Sequence, residues 1–134
     1  MAIKYILDTH TLVWYLEGNP KLSTQARTIM DEKTNELVLP IIALAEATFL
    51  IEKGRTTIPS IAQFLNAVDS NPQIEVYPLD RAVFNHTFLA TVIPEMHDRQ
   101  IVATAILLRT VGHTVIILTK NGTIKASGLV SVIW

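Results

Sequence analysis

The chain has 134 residues, with 11 Lys and Arg against 12 Asp and Glu for a net charge of −1, and no cysteine. That is the length of one ordinary domain; it excludes a disulfide framework or a thiolate metal site, and a reducing, cytoplasmic setting suits it. So balanced a charge excludes nucleic-acid binding by phosphate neutralisation alone, so any such role must lean on a few placed cations or on metal ions.

Ile3–Leu7 reads as a strand that stops at Asp8, and residues 9–16 as a helix closed by Gly18, Asn19 and Pro20. Met1 is expected to open directly into the fold: the run before Asp8 is too short for a signal peptide, and no apolar stretch is long enough to span a bilayer. Ser23 caps a helix through about residue 31, residues 36–39 form a short strand closed by Pro40, and residues 41–53 form a strong helix with Gly54 at its C-terminal end. Residues 60–69 are a helix stopped by Asn71 and Pro72, and Ile74–Tyr77 is a strand. Asp80 then caps a helix through about residue 91, which Pro94 ends. Residues 98–110 are a long helix with Gly112 as its stop, residues 115–118 a strand, residues 124–126 a helical turn and residues 130–133 a last strand. Strands alternating with helices predict an α/β sandwich on a mostly parallel sheet. Right-handed crossovers bring the strand C-termini to one edge, where such sheets bind their ligands, and Asp8 falls there.

Three acids stand out. Asp8 ends the first strand, where it either serves chemistry or caps the following helix, a role Thr9 and Thr11 could also fill. Glu46 shares a helical stripe with Ile42, Ala43, Phe49 and Leu50, whereas Glu52 falls on the other side with Ala45 and Thr48. A carboxylate on such a stripe is paired, protonated, metal-bound or at its exposed margin. Asp98 opens its helix, where capping is the plain alternative. If the fold gathers the three, their mutual charge calls for a cation, and hard oxygen ligands suit Mg²⁺ or Mn²⁺. Such an ion makes a nucleophile from water and offsets charge on a cleaved phosphodiester.

The segments YILDTHTLVWYL, KLSTQARTIM, LPIIALAEATFLIEKGRTTI, PEMHDRQIVATAILL and VIILTKNGTIKASGLVSVIW, in that order, resemble a PIN-domain ribonuclease of the VapC toxin type over essentially the whole chain. The resemblance implies a PIN-like three-layer α/β/α sandwich with a central, mostly parallel sheet, as a single domain over residues 1–134. It also implies metal-dependent cleavage of RNA, with the family's acids at Asp8, Glu46 and Asp98, and a small antitoxin that inserts into the active-site groove. Two positions depart from the pattern. The family carries Thr-x-Asp after the late strand, and this chain reads Thr119, Lys120, Asn121, so Asn121 would offer an oxygen without a charge, directly or through water held with the Thr119 hydroxyl. Before Asp98 the family often shows Asp-Pro, and this chain has Glu95 and Met96, which puts a further carboxylate nearby.

Around these acids Thr9, Thr119 and Glu95 are expected as supports, and Lys120, Arg99, Lys53 and Arg55 as phosphate contacts, Lys120 first because its loop lies beside the site. His10 and His97 read as helix-start residues, since metal-driven hydrolysis needs no histidine base, and Trp14 and Tyr15 read as core or interface. With only 17% charged residues, the chain is more apolar than one small core hides, which predicts a homodimer or partner interface. The competing readings are a PIN-like domain that binds RNA or a partner without cleaving, for which Asn121 speaks, and an aspartyl phosphatase at Asp8, against which His10 speaks, because that chemistry wants an acid two residues on.

Overall fold

The computed structural model describes residues 3–134, so the expectation about Met1 lies outside the described residues. Five strands, β1 (Ile3–Leu7), β2 (Glu36–Pro40), β3 (Ile74–Tyr77), β4 (Thr114–Leu118) and β5 (Ser131–Ile133), form one sheet in the order β3-β2-β1-β4-β5. Every pairing is parallel. Helices α1 (Thr9–Glu17), α2 (Thr24–Asp31), α3 (Ile41–Glu52), α4 (Ile61–Asp69), α5 (Arg81–His86), α6 (Met96–Thr110) and α7 (Gly122–Ser127) connect and flank the strands, as the α/β reading requires.

Strands covered by helices on both faces are apolar without alternation. Ile6, Leu7, Leu37, Leu39, Ile117 and Leu118 are all fully buried, each contributing about 1.5–3 kcal/mol of burial. The capping residues act where the sequence puts them: Ser23 Oγ accepts from Ala26 N–H, Ser60 Oγ from Gln63 N–H and Asp80 Oδ1 from Val83 N–H. Gly18 takes the left-handed conformation that closes α1, at φ 65°.

Three helices differ from expectation by two residues or more, the last being α7, which spans Gly122–Ser127 instead of residues 124–126 because Asn121 caps it. The helix after Asp80 ends at His86 and passes into a 3-10 turn, Thr87–Leu89, instead of running to residue 91. The Thr87 hydroxyl donates to the Phe84 carbonyl at 2.6 Å, which ties the chain into the tighter turn. Helix α6 begins at Met96, two residues early, because Glu95 takes the cap: its Oε2 accepts from Asp98 N–H at 2.8 Å. Asp98 is thereby released from capping.

The strand order positions the site. The chain moves outward from β1 to β2 to β3, then returns across β1 to lay down β4 and β5 on its other side. Connections leaving β1 and β4 therefore diverge, which opens a crevice at their C-terminal ends. Leu7 lies opposite Leu118 in the register, so the next residues, Asp8 and Thr119, meet at the crevice floor.

Candidate active site

Asp8 leaves β1 as the N-cap of α1, its Oδ1 accepting from His10 N–H at 3.0 Å. Thr9 and Thr11 do not compete with it for the cap, because the Thr9 hydroxyl donates to Glu46 Oε1 and the Thr11 hydroxyl to the Leu118 carbonyl, each at 2.6 Å. The other oxygen of Asp8, Oδ2, accepts from the Thr119 hydroxyl, which in turn accepts from Asn121 N–H at 3.0 Å. Asp8 is 8% exposed, a buried carboxylate. Burial pushes its carboxyl above the ordinary range; the bonds from Thr119 and His10 N–H pull it back, and the charge of Glu46 adds to the rise.

Glu46 reaches the same place from α3. Its stripe is less buried than the helical pattern suggested, because Ala43 and Ala47 face the core while Phe49 is half exposed. Glu46 stands at the margin of that core, half-buried, held across to α1 by Thr9. Asp98 comes from the first turn of α6 and is also half-buried. Burial raises its carboxyl, and the charges of Glu95 and Asp8 raise it further; the bond from Asn121 lowers it, and Glu46 adds a smaller upward push.

A cleft of about 630 Å³ runs over these groups. Asp8, Glu46, Glu95, Asp98 and Asn121 line it, and so do His10, Thr11, Trp14 and Lys120. The three expected acids thus share one cleft. Each is held by uncharged donors: Asp8 by Thr119 and a backbone N–H, Glu46 by Thr9, Asp98 by Asn121. Among the described residues none of them is ion-paired. Nor are any three carboxylates or imidazoles drawn closely enough to grip one ion between them. The donor set is nevertheless all hard oxygen carrying negative charge, and its chemistry fits a hard divalent cation.

Asn121 does something the sequence did not suggest. Its Oδ1, the oxygen expected to serve a metal, accepts from Thr123 N–H and Ile124 N–H at 2.9 and 3.1 Å as the N-cap of α7. That leaves the amide nitrogen for the cleft, where it donates to Asp98 Oδ2 at 2.9 Å. Glu95 lines the cleft as expected, but both its oxygens are engaged, one by Asp98 N–H and one by the His97 ring at 2.8 Å. Burial pushes the Glu95 carboxyl up, yet the bonds from His97 and Asp98 outweigh it and hold it below the usual range. His97 therefore partners Glu95 and does not cap the helix.

The cations separate clearly. Lys120 lines the cleft. Arg99 does not: its guanidinium donates to the carbonyls of Ile93 at 2.7 Å and Thr91 at 3.3 Å, clamping the turn before α6. Lys53 lies over the Phe49 ring at 5.3 Å, and neither it nor Arg55 lines the cleft. His10 and Trp14 do, though the sequence pattern assigned them no part. The available signal was their spacing: residues four apart share a helix face, and His10 stands two residues after Asp8.

The sequence profile of the PIN domain matches residues 5–121. No curated protein matches the chain. Among solved structures, VapBC2 from Rickettsia felis bound to a DNA fragment from their promoter is similar at 17% identity and a TM-score of 0.68, over 97% of this chain and 97% of that one. DNA-bound VapBC from Salmonella typhimurium is similar at 18% identity and 0.69, over 98% and 97%. VapC20 from Mycobacterium tuberculosis, described as a sarcin-ricin loop cleaving toxin, is similar at 15% identity and 0.64, over 92% and 95%. At such identities the likeness is one of fold.

Proposed function

The chain belongs to the PIN domain family, and from that premise we propose that it is a metal-dependent endoribonuclease, the toxin of a toxin–antitoxin pair. The observation that carries the reading is the meeting of Asp8, Glu46 and Asp98 in one cleft at the switch point of the sheet, with no cation paired to any of them among the described residues. Asp8, Glu46 and Asp98 would hold Mg²⁺ or Mn²⁺ with water completing the reach that the side chains alone do not span. Bound there, the ion supplies an activated water and offsets charge on the phosphodiester that is cut. The chain's own part is orientation: Thr119 and His10 N–H fix Asp8, Thr9 fixes Glu46 and Asn121 fixes Asp98. Lys120 offers the phosphate a charge at the rim.

The likeness to VapBC structures and to a toxin described as cleaving the sarcin-ricin loop supports RNA as substrate and a small antitoxin as partner. No described helix is long and apolar enough to cross a membrane; a cytoplasmic place is part of the proposal and rests on the toxin–antitoxin reading. Exposed Phe84, Phe88, Leu89 and Val92 support a homodimer or a partner interface.

The test is cleavage of single-stranded RNA with Mn²⁺, with and without chelator, by the native chain and by Asp8→Asn. Asparagine keeps the helix cap, so the fold survives while activity falls on the order of 10²-fold or more. Full activity in Asp8→Asn overturns the reading. One observation favours a second reading: Asn121 stands where the family carries an acid, and its oxygen is turned to α7 and away from the cleft. A native chain that binds RNA or a partner but never cleaves, at any Mn²⁺ concentration, would be such a weakened domain.

A further inference from the structure

Beside the acids, the cleft has an aromatic ring that hydrolysis does not use. Trp14 lines it from α1, with the His10 ring 5.4 Å away and tilted by 47°, and the Trp134 ring edge-on at 5.9 Å. Two ammonium groups approach the same indole: Lys120 Nζ at 6.0 Å from its centroid, out of the turn after β4, and Lys21 Nζ at 5.8 Å, out of the turn after α1. Neither makes an ion pair among the described residues, although Lys21 does face the charge of Glu17. Three separate stretches of chain thus bring together an aromatic ring and two cations free of ion pairs, Trp14 and Lys120 lining the acid-lined cleft and Lys21 standing beside them.

The chain is otherwise poor in positive charge, with a net charge of −1, and Lys120 is the one lysine or arginine lining the cleft among the described residues. A ring with flanking ammonium groups matches single-stranded nucleic acid, in which a base offers a face to stack on and the adjoining phosphate offers the charge. We infer that Trp14, Lys120 and Lys21 form a nucleotide subsite, in which a base of the RNA stacks on Trp14 and its phosphate meets the two lysines, next to the phosphodiester presented to the acids. The inference rests on the ribonuclease reading above and adds to it the contact that sets register along the strand. Its chemistry favours a flexible, unpaired strand over a duplex, since a base already stacked within a helix has no face free for the indole.

The experiment uses the full chain carrying Trp134→Phe, which leaves Trp14 as the sole tryptophan. A short single-stranded oligoribonucleotide is titrated in chelator, so that nothing is cut, and Trp14 emission is followed. Saturable quenching is expected. An oligomer of the same length made abasic at one position, tested over a series of positions, should lose quenching at one register. Lys120→Ala and Lys21→Ala should each weaken binding and lower the salt dependence by about one ion. Trp14→Leu, read by fluorescence anisotropy of a labelled oligomer, should weaken binding about 5- to 150-fold, and Trp14→Phe by less. Trp14→Phe and the lysine variants keep the test available should Trp14→Leu fold poorly.

Quenching by poly-glutamate as strong as that by RNA overturns the subsite in favour of an acidic protein partner. Cleavage by the native chain that Trp14→Phe, Lys21→Ala and Lys120→Ala leave unchanged in KM also overturns it, with the nuclease reading intact. Register-specific quenching in a chain that never cleaves keeps the nucleotide subsite and overturns the nuclease reading instead.

Discussion

Asn121 gives its amide N–H to Asp98 across 2.9 Å while its oxygen stays on the first turn of α7. An aspartate there would keep the helix cap, since Asp and Asn cap about equally well, but would face Asp98 with a second charge in place of a donor. Asn121→Asp should therefore cost about 1–3 kcal/mol in chelator and recover it when Mn²⁺ is added, with tighter Mn²⁺ binding than the native chain. Thermal unfolding with and without the ion reads both; equal melting in chelator would show that the amide bond contributes nothing to holding Asp98.

The Thr119 hydroxyl is buried, donates to Asp8 and accepts from Asn121 N–H. Thr119→Val preserves shape and removes both bonds, leaving the Oδ2 oxygen of the buried Asp8 carboxylate without its donor. The expected loss is about 1–3 kcal/mol, with Thr119→Ser near the native value. Chemical denaturation of the two variants side by side distinguishes the hydroxyl from the methyl group.

Acid and base limbs of stability should be set by different carboxylates. Asp8 and Asp98 titrate above their ordinary range in the fold. Folded protein thus holds protons that the unfolded chain has released, and stability from these two is complete below the unfolded carboxylate range and declines as pH rises through the folded values. Glu17 and Glu95 are lowered and act in the opposite sense, contributing above the unfolded range and failing as pH falls. Asp8→Asn removes one member of the first pair. In chelator its melting temperature should gain on the native chain as pH rises from about 3 to about 7. A gap that stays constant with pH would contradict the raised Asp8 carboxyl.

Arg99 offers a clean contrast with Lys120. Because its guanidinium is bound to the Ile93 and Thr91 carbonyls, Arg99→Ala should lower stability by about 1.5–3 kcal/mol and leave the salt dependence of RNA binding unchanged. A salt slope reduced as in Lys120→Ala would make Arg99 a phosphate contact after all.

Most elements were legible because each carries a local signal. Ser23, Ser60 and Asp80 cap the helices that follow them, and the apolar runs of β1 and β4 mark central strands. The alternation of strands and helices put Asp8 at the C-terminal edge of the sheet, whereas the gathering of Glu46 and Asp98 beside it was conditional on the fold and implied by the resemblance to PIN domains. What could not be read depends on competition between neighbours. Nothing within residues 95–98 says which acid caps α6 until the backbone decides for Glu95 and frees Asp98. Asn121 has two polar ends, and only the demand of two N–H groups on α7 decides which of them faces the cleft. Arg99 looks like any surface cation until the turn at residues 91–93 folds back beneath it. Trp14 reads as core and does pack against it, but its second role, lining the cleft, depends on where the turns after α1 and β4 arrive.

The insertion of β1 between β2 and β4 has a bearing on how the molecule comes into being. Asp8 and the threonine that steadies it are 111 residues apart, so a chain emerging from the ribosome carries its first acid long before it owns the floor beneath it. Thr119 follows β4, which pairs directly with β1, so the floor of the cleft joins an early and a late part of the chain. The cleft is thus a property of the finished fold: its first acid gains its support only once nearly all of the polypeptide has been made.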